Sequence, residues 1–219
     1  VPISAAPSSR PVTGPRTVQS VLANLVGRPL FWVIAVGVLA GWPFVSGLLR
    51  RPPPVPEALG TLPPFSLVEP GGERLDNQAL AGRVWLLGFV DTGCISCAER
   101  LGGALEKLQY RIRNVGPAVG ILEVGVPTPT PVVDLGAEMT RRHANPRQWR
   151  TATGPDARRL LAEVGALVLS RGAMLEAGAA VALVDRQGKV RGVEGIEAPE
   201  AVDRLVSQLT LLLNFPHAG

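Results

Sequence analysis

The chain holds two cysteines, and they stand together as Cys94-Ile95-Ser96-Cys97. Two thiols at this spacing can close a reversible disulfide, hold a soft metal ion, or do neither. Their surroundings narrow the choice. Val84-Trp85-Leu86-Leu87-Gly88-Phe89-Val90 reads as a buried strand, and Asp91-Thr92-Gly93 reads as a turn. After Cys97, Leu101, Leu105 and Leu108 recur at helical spacing among Glu99, Arg100, Lys107 and Arg111. The order strand, turn, CxxC, helix puts Cys94 at a helix N-terminus, where unpaired N–H groups and the positive end of the dipole favour a thiolate. The expected chemistry is thiol–disulfide exchange. Cys94 is the attacking thiolate, and Cys97, turned inward along the same helix, is the resolving thiol.

Three rival chemistries are weaker. A structural zinc site takes four protein ligands, and neither His143 nor His217 lies at finger-like spacing from Cys97. A purely structural disulfide closing so short a loop removes little unfolded-state entropy. Copper is the more serious rival, because Cys94 and Cys97 as two soft thiolates suit Cu(I) and one or two further ligands would complete the site. Met139, Met174 and His143 are the side chains that could be recruited, although single methionines are more often core filler. Asp91 and Glu99 are the nearest acids. Asp91 either caps the helix or moves a proton from Cys97, and neither acid makes Cys94 more acidic. Trp85 and Trp149 read as core aromatics.

The elements that must position these cysteines lie downstream of an apolar run. Pro29 to Leu49 is 21 residues without a charged side chain, bounded by Arg28 and by Arg50-Arg51. It predicts a single transmembrane helix over 29–50, long enough for a hydrocarbon layer of roughly 30 Å. A cleaved leader is the competing reading, and its apolar region would be unusually long. Arg10, Arg16 and Arg28 precede the span without any acid, which leans towards an internal N-terminus and an external C-terminal domain. That orientation predicts a bacterial inner (cytoplasmic) membrane protein whose domain faces the periplasm or outside, the oxidising side where a disulfide persists.

Charge removes another class. The chain is formally +4 with a pI near 9.8, but residues 1–51 hold five arginines and no acid, leaving residues 52–219 at −1. The basic character belongs to the tail and membrane flanks, and no Lys/Arg stripe with interleaved aromatics follows, so nucleic-acid binding is excluded.

The expected organisation is a flexible tail over 1–28, the span over 29–50, a stiff Pro-rich linker over 51–61, and one domain over 62–215. Within the domain, Phe65–Val68, Val84–Val90, Val119–Val126, Trp149–Thr153 and Ala179–Asp185 read as strands, and Lys189–Val193 returns as a hairpin after the turn Arg186-Gln187-Gly188. Helices are expected after Cys97, over Leu135–His143, from Pro155, and over Ala198–Leu213. Strands alternating with helices predict an α/β sandwich. No glycine-rich phosphate loop is present.

With these elements in place, the chain resembles the thioredoxin-like superfamily and, within it, the SCO/SenC family of membrane-anchored proteins linked to cytochrome oxidase assembly. The resemblance is carried by Leu62-Pro63-Pro64-Phe65-Ser66-Leu67, by Val84–Phe89 leading to the cysteines, and by Val124-Gly125-Val126 entering a proline loop. Trp149-Arg150-Thr151-Ala152-Thr153-Gly154 and Leu183-Val184-Asp185-Arg186-Gln187-Gly188-Lys189 complete it. It implies a central mixed β-sheet flanked by helices, a protein thiol or disulfide partner, and respiratory oxidase assembly as the setting. For the family it also implies Cu(I) held by the cysteines and a histidine. The chain departs in three places. Two residues, not three, separate the cysteines; Ala98 replaces the proline after the second; and no histidine stands in Leu175–Ala179, where the ligand would fall near Ala177. Nor does a proline occur between Pro155 and Pro199, so a cis-proline opposite the cysteines is not expected. The reading that follows is a membrane-anchored thiol–disulfide oxidoreductase for a dedicated partner, requiring no cofactor. Its alternatives are a Cu(I) chaperone using Cys94 and Cys97 and a redox-inert interaction domain.

Overall fold

The computed structural model describes residues 56–214 and, before them, helical positions 29, 30, 32, 33, 36–38 and 41. Two units divide the chain, Val1–Pro52 and Pro53–Gly219, and the second carries the sheet. Most of the apolar run 29–49 lies outside the described residues, and among those described no helix is long and apolar enough to cross a membrane.

Along the second unit the elements are β1 (Gly60–Thr61), β2 (Ser66–Val68), β3 (Arg74–Asp76), α1 (Asn77–Leu80), β4 (Val84–Asp91) and α2 (Ile95–Ile112). They continue with β5 (Val119–Val126), α3 (Leu135–Arg141), β6 (Trp149–Thr153), α4 (Asp156–Leu169), β7 (Ala180–Val184), β8 (Lys189–Gly195) and α5 (Ala201–Asn214). One mixed sheet runs β1-β8-β7-β4-β5-β6-β2-β3. Strands β4, β5 and β6 are parallel, and the remaining pairings are antiparallel. This is a thioredoxin-like α/β fold. The sequence expectation missed β1, β3 and α1, which are two to four residues long and carry no readable period.

The centre of the sheet is the pair β4–β5, in register from Val84↔Val119 to Asp91↔Val126. Every residue of the pair but Asp91 is buried, which explains why both strands read as continuous apolar runs rather than alternating ones. On one face, Trp85, Leu87, Phe89, Leu122 and Val124 pack with Ala157, Leu160, Val164 and Val168 of α4. On the other, Leu86, Val90, Ile121 and Leu183 pack with Leu101, Leu105 and Leu108 of α2 and Leu205 and Leu209 of α5. A glycine at 120 is required by Trp85, whose ring occupies the place of any side chain there. The Trp85 indole N–H donates to the Leu80 carbonyl at 2.8 Å, so the ring is satisfied as well as enclosed.

The Asp-x-x-Gly-Lys turn between β7 and β8 is built around a buried carboxylate. Asp185 Oδ1 accepts from the N–H groups of Gln187 (2.9 Å) and Lys189 (2.8 Å), and Gly188 supplies a φ of +75°. Its other oxygen meets Arg191 Nε at 2.7 Å, both side chains being 5 % exposed, and Arg191 also donates to the Pro56 carbonyl. Removing one partner of such a pair strands a buried charge. Asp185→Ala is therefore expected to destabilise the protein by about 3–5 kcal/mol, read as a lowered urea midpoint.

Candidate redox site

The cysteines are joined as a disulfide, with Cα atoms 5.3 Å apart. Strand β4 ends at Asp91, the chain turns through Thr92 and Gly93, and α2 begins at Ile95. Asp91 makes the turn rather than capping the helix. Its Oδ1 accepts from Gly93 N–H at 2.7 Å, and its carbonyl accepts from Cys94 N–H at 3.0 Å. The cap is Cys94 itself, whose Sγ accepts from Cys97 N–H at 3.2 Å while its backbone stays extended (φ −121°, ψ 98°). A helix-terminal N–H directed at sulfur is the arrangement that favours thiolate over thiol. Both cysteines are half-buried. Cys97 packs against the core under α2, whereas Cys94 borders the hydroxyl of Ser96.

The loop after β5 borders the same turn. Val132 and Val133 both donate to the Thr92 carbonyl, at 2.8 and 3.0 Å, and Thr128 N–H donates to Thr92 Oγ1 at 3.2 Å. Beside the disulfide lies an open groove of about 450 Å³ between α2 and α3, walled by Ile95, Ala98, Val132, Val133 and Ala137 and edged by Glu99, Glu138 and Arg141. Ile95 and Val132 are large apolar residues left 60 % and 57 % exposed.

The loop before β7 closes the other flank. Gly178 (φ +78°) lies so near Cys97 that a β-carbon on it would stand 2.5 Å from Cys97 Cβ. Ala177, next to it, packs into the opposite core with Leu175. A third copper ligand from this loop therefore has no place: the residue facing Cys97 cannot carry a side chain, and its neighbour belongs to the other side of the sheet. The other candidates stand elsewhere. Met139 packs against the core, Met174 is exposed, and His143 is exposed beyond the end of α3 with a φ of +50°. His217 lies outside the described residues. Among the described residues no cluster of three or more His, Cys, Asp or Glu groups could hold a metal. The residues present do not fit a three-ligand copper site. Nor is any peptide bond cis among the described residues.

Two residues escaped the sequence reading. Gly178 carried no signal, since a positive φ against a cysteine is decided by packing. Glu123 did carry one, as the single charge inside the apolar run of β5. It is fully buried beside Gly88 and Thr151, and neither carboxylate oxygen has a hydrogen-bond partner among the described residues; Trp149 Nε1 is equally unpartnered. Burial pushes the Glu123 carboxyl up to about 7; the nearby Trp149 indole lowers it, Glu138 raises it and Arg142 lowers it.

No family model matches the sequence, and no curated protein does either. Solved structures do match the fold. The chain is similar to BsSco, described as a member of the Sco family of cytochrome c oxidase assembly proteins, at 20% identity over 72% of this chain and 96% of that one, with a TM-score of 0.56. A SCO1/SenC family lipoprotein from Bacillus anthracis matches at 17% identity over 70% and 95%, with a TM-score of 0.58. A candidate protein disulfide isomerase from Bacteroides thetaiotaomicron matches at 18% identity over 74% and 94%, with a TM-score of 0.51. The likeness extends across nearly the whole of each of these chains. It establishes the thioredoxin-like fold, with SCO-type proteins among its neighbours.

The buried carboxyl has a thermodynamic consequence. Its native pKa, near 7, stands above the ordinary 4.5, so between those values the unfolded chain has released a proton that the native one keeps. Stability is thus lost as pH rises through this window and levels off above it. Glu123→Gln abolishes the effect. The variant's stability relative to the parent is expected to grow by about 3 kcal/mol between pH 4.5 and 7.5, measured by urea denaturation.

Proposed function

We propose that this chain is a membrane-anchored thiol–disulfide oxidoreductase acting on a dedicated extracytoplasmic protein partner, with Cys94 and Cys97 as its catalytic pair. The observation that carries the reading is the disulfide at the first turn of α2, with a helix N–H directed at the Cys94 sulfur. In the reduced protein, the Cys94 thiolate attacks one sulfur of a partner disulfide. A Cys94–S bond forms, the partner's S–S bond breaks, and one partner thiolate leaves. Cys97 then gives its proton to solvent and attacks Cys94 Sγ, restoring the internal disulfide and releasing the second partner thiolate. Two electrons pass to the partner. No cofactor enters this sequence.

Several features support a dedicated partner. The apolar groove with exposed Ile95 and Val132 begins at the residue that follows Cys94, a surface that a complementary protein would cover. The likeness to SCO-type structures supports respiratory oxidase assembly as the setting of this proposal. The apolar run 29–49 and its arginine flanks support a single span in the bacterial cytoplasmic membrane with the domain outside.

The roles of the thiols can be separated by trapping. Cys97→Ser should accumulate a mixed disulfide through Cys94, whereas Cys94→Ser should accumulate little. Equal trapping by both variants, or none by either, rejects the assignment. For topology, reporter domains fused after Pro56 should be active only outside the cytoplasm. Activity of a cytoplasm-restricted reporter at that point removes the proposed orientation.

A further inference from the structure

The geometry points to Arg100 as a positioning residue for the dithiol: it holds the Gly178 peptide against Cys97, narrowing the approach to that half-buried residue and leaving Cys94 as the point of attack. This rests on the thiol–disulfide reading above and adds a residue to it.

Gly178 is held from three sides. Its N–H donates to the Phe89 carbonyl of β4 at 2.6 Å, its carbonyl accepts from Arg100 Nε at 2.9 Å, and its α-carbon lies against Cys97. Strand β4 delivers the chain to the cysteines and α2 begins at them, so the loop is pinned to both elements that frame the disulfide. Arg100 stands three residues after Cys97, almost one turn along α2, which lets its stem run beside the cysteine and reach across. The far end of its guanidinium meets Glu197 Oε1 at 3.3 Å, in the segment that follows β8. One side chain therefore ties the segments before β7 and after β8 to the redox helix.

The residue types suit this task. Guanidinium presents Nε–H and Nη–H in a rigid planar fork, so it can serve a carbonyl and a carboxylate together; an ammonium is a point donor without that fixed geometry. Glycine is the residue that can occupy position 178, because a β-carbon would collide with Cys97 and φ is positive. Without Arg100 the loop keeps one hydrogen bond to β4 and loses its tie to α2. Its open form then gains population, and the approach to the half-buried Cys97 widens.

The experiment measures accessibility, not redox activity. Full-length single-cysteine variants, Cys94→Ser and Cys97→Ser, are reduced and alkylated with iodoacetamide, each with Arg100 intact and with Arg100→Met. In the Cys94→Ser background, Arg100→Met should raise the alkylation rate of Cys97 by about tenfold, the population shift expected from losing one charge-assisted hydrogen bond. The rate at Cys94 should change by less than about twofold, because its cap is made within α2. Arg100→Lys should fall between. An unchanged Cys97 rate overturns the proposal, and so does equal acceleration of both cysteines, which would mean general loosening. Exchange of the wild-type dithiol with glutathione disulfide is followed in parallel. Its absence counts against the oxidoreductase reading, while the alkylation ratio still decides the role of Arg100.

Discussion

The junction between β4 and α2 sets the terms for the rest of the molecule. Within four residues the chain must leave a fully buried strand, reverse, and start a helix whose first N–H groups have no internal partner. Asp91 closes the turn with its side chain, and the Cys94 sulfur takes the cap position that serine, threonine or aspartate commonly fills. A sulfur there satisfies an orphan donor, at the kind of helix terminus that favours a thiolate once the pair is reduced. Structure and chemistry thus share one atom. The price is position: the cap geometry holds only while β4 stays in register with β5 and α2 stays flat on the sheet.

That register is secured by apolar burial on both faces and by a few glycines where large groups come close. Gly120 admits Trp85, and Gly88 lies under Leu101 of the redox helix. Gly102 does the same for a polar group, since the guanidinium of Arg142 lies over it, paired with Glu138 at 2.5 Å. Arg142 ties the end of α3 to α2 beside the groove by donating to the Glu99 carbonyl and meeting Glu106, and Arg141 reaches Glu99 on α2 from α3 itself. The groove wall is therefore ionic at its outer edge and apolar within. Glu123 is a buried carboxylate without a hydrogen-bonding partner among the described residues. Its neutral form suits the site, and its ionised form is held there at a cost.

The loop before β7 separates this chain from the metal-binding pattern that its sequence resemblance implied. A ligand needs a side chain aimed at the sulfur atoms. Here the approach is made by the backbone of Gly178, and Ala177 is committed to the core shared with α4. The same close approach that leaves no third ligand brings the Gly178 backbone against Cys97. The loop before β7 therefore supplies no third ligand beside the cysteines.

Much of the fold was legible in the order of residues because burial writes its period into sequence. Continuous apolar runs marked β4, β5 and β7, three- and four-residue spacing marked α2 and α5, and Asp185 to Lys189 marked a turn. The site was legible to the same depth: a CxxC between a strand and a helix already implied a sulfur at a helix N-terminus. Short elements such as β1 and β3 were not, since two or three residues carry no period and depend on the strand they pair with. The cap role of Cys94, rather than Asp91, depended on which atom reached the free N–H. Gly178 against Cys97 and Arg100 across the loop join residues about 80 positions apart, and Glu123 is buried by strands and helices from elsewhere in the chain. Local sequence determined which elements form and where the thiols sit. Only packing between distant segments decided what lies against Cys97, what holds it there, and which charge is shut in the core, because those outcomes depend on distances that no local pattern encodes.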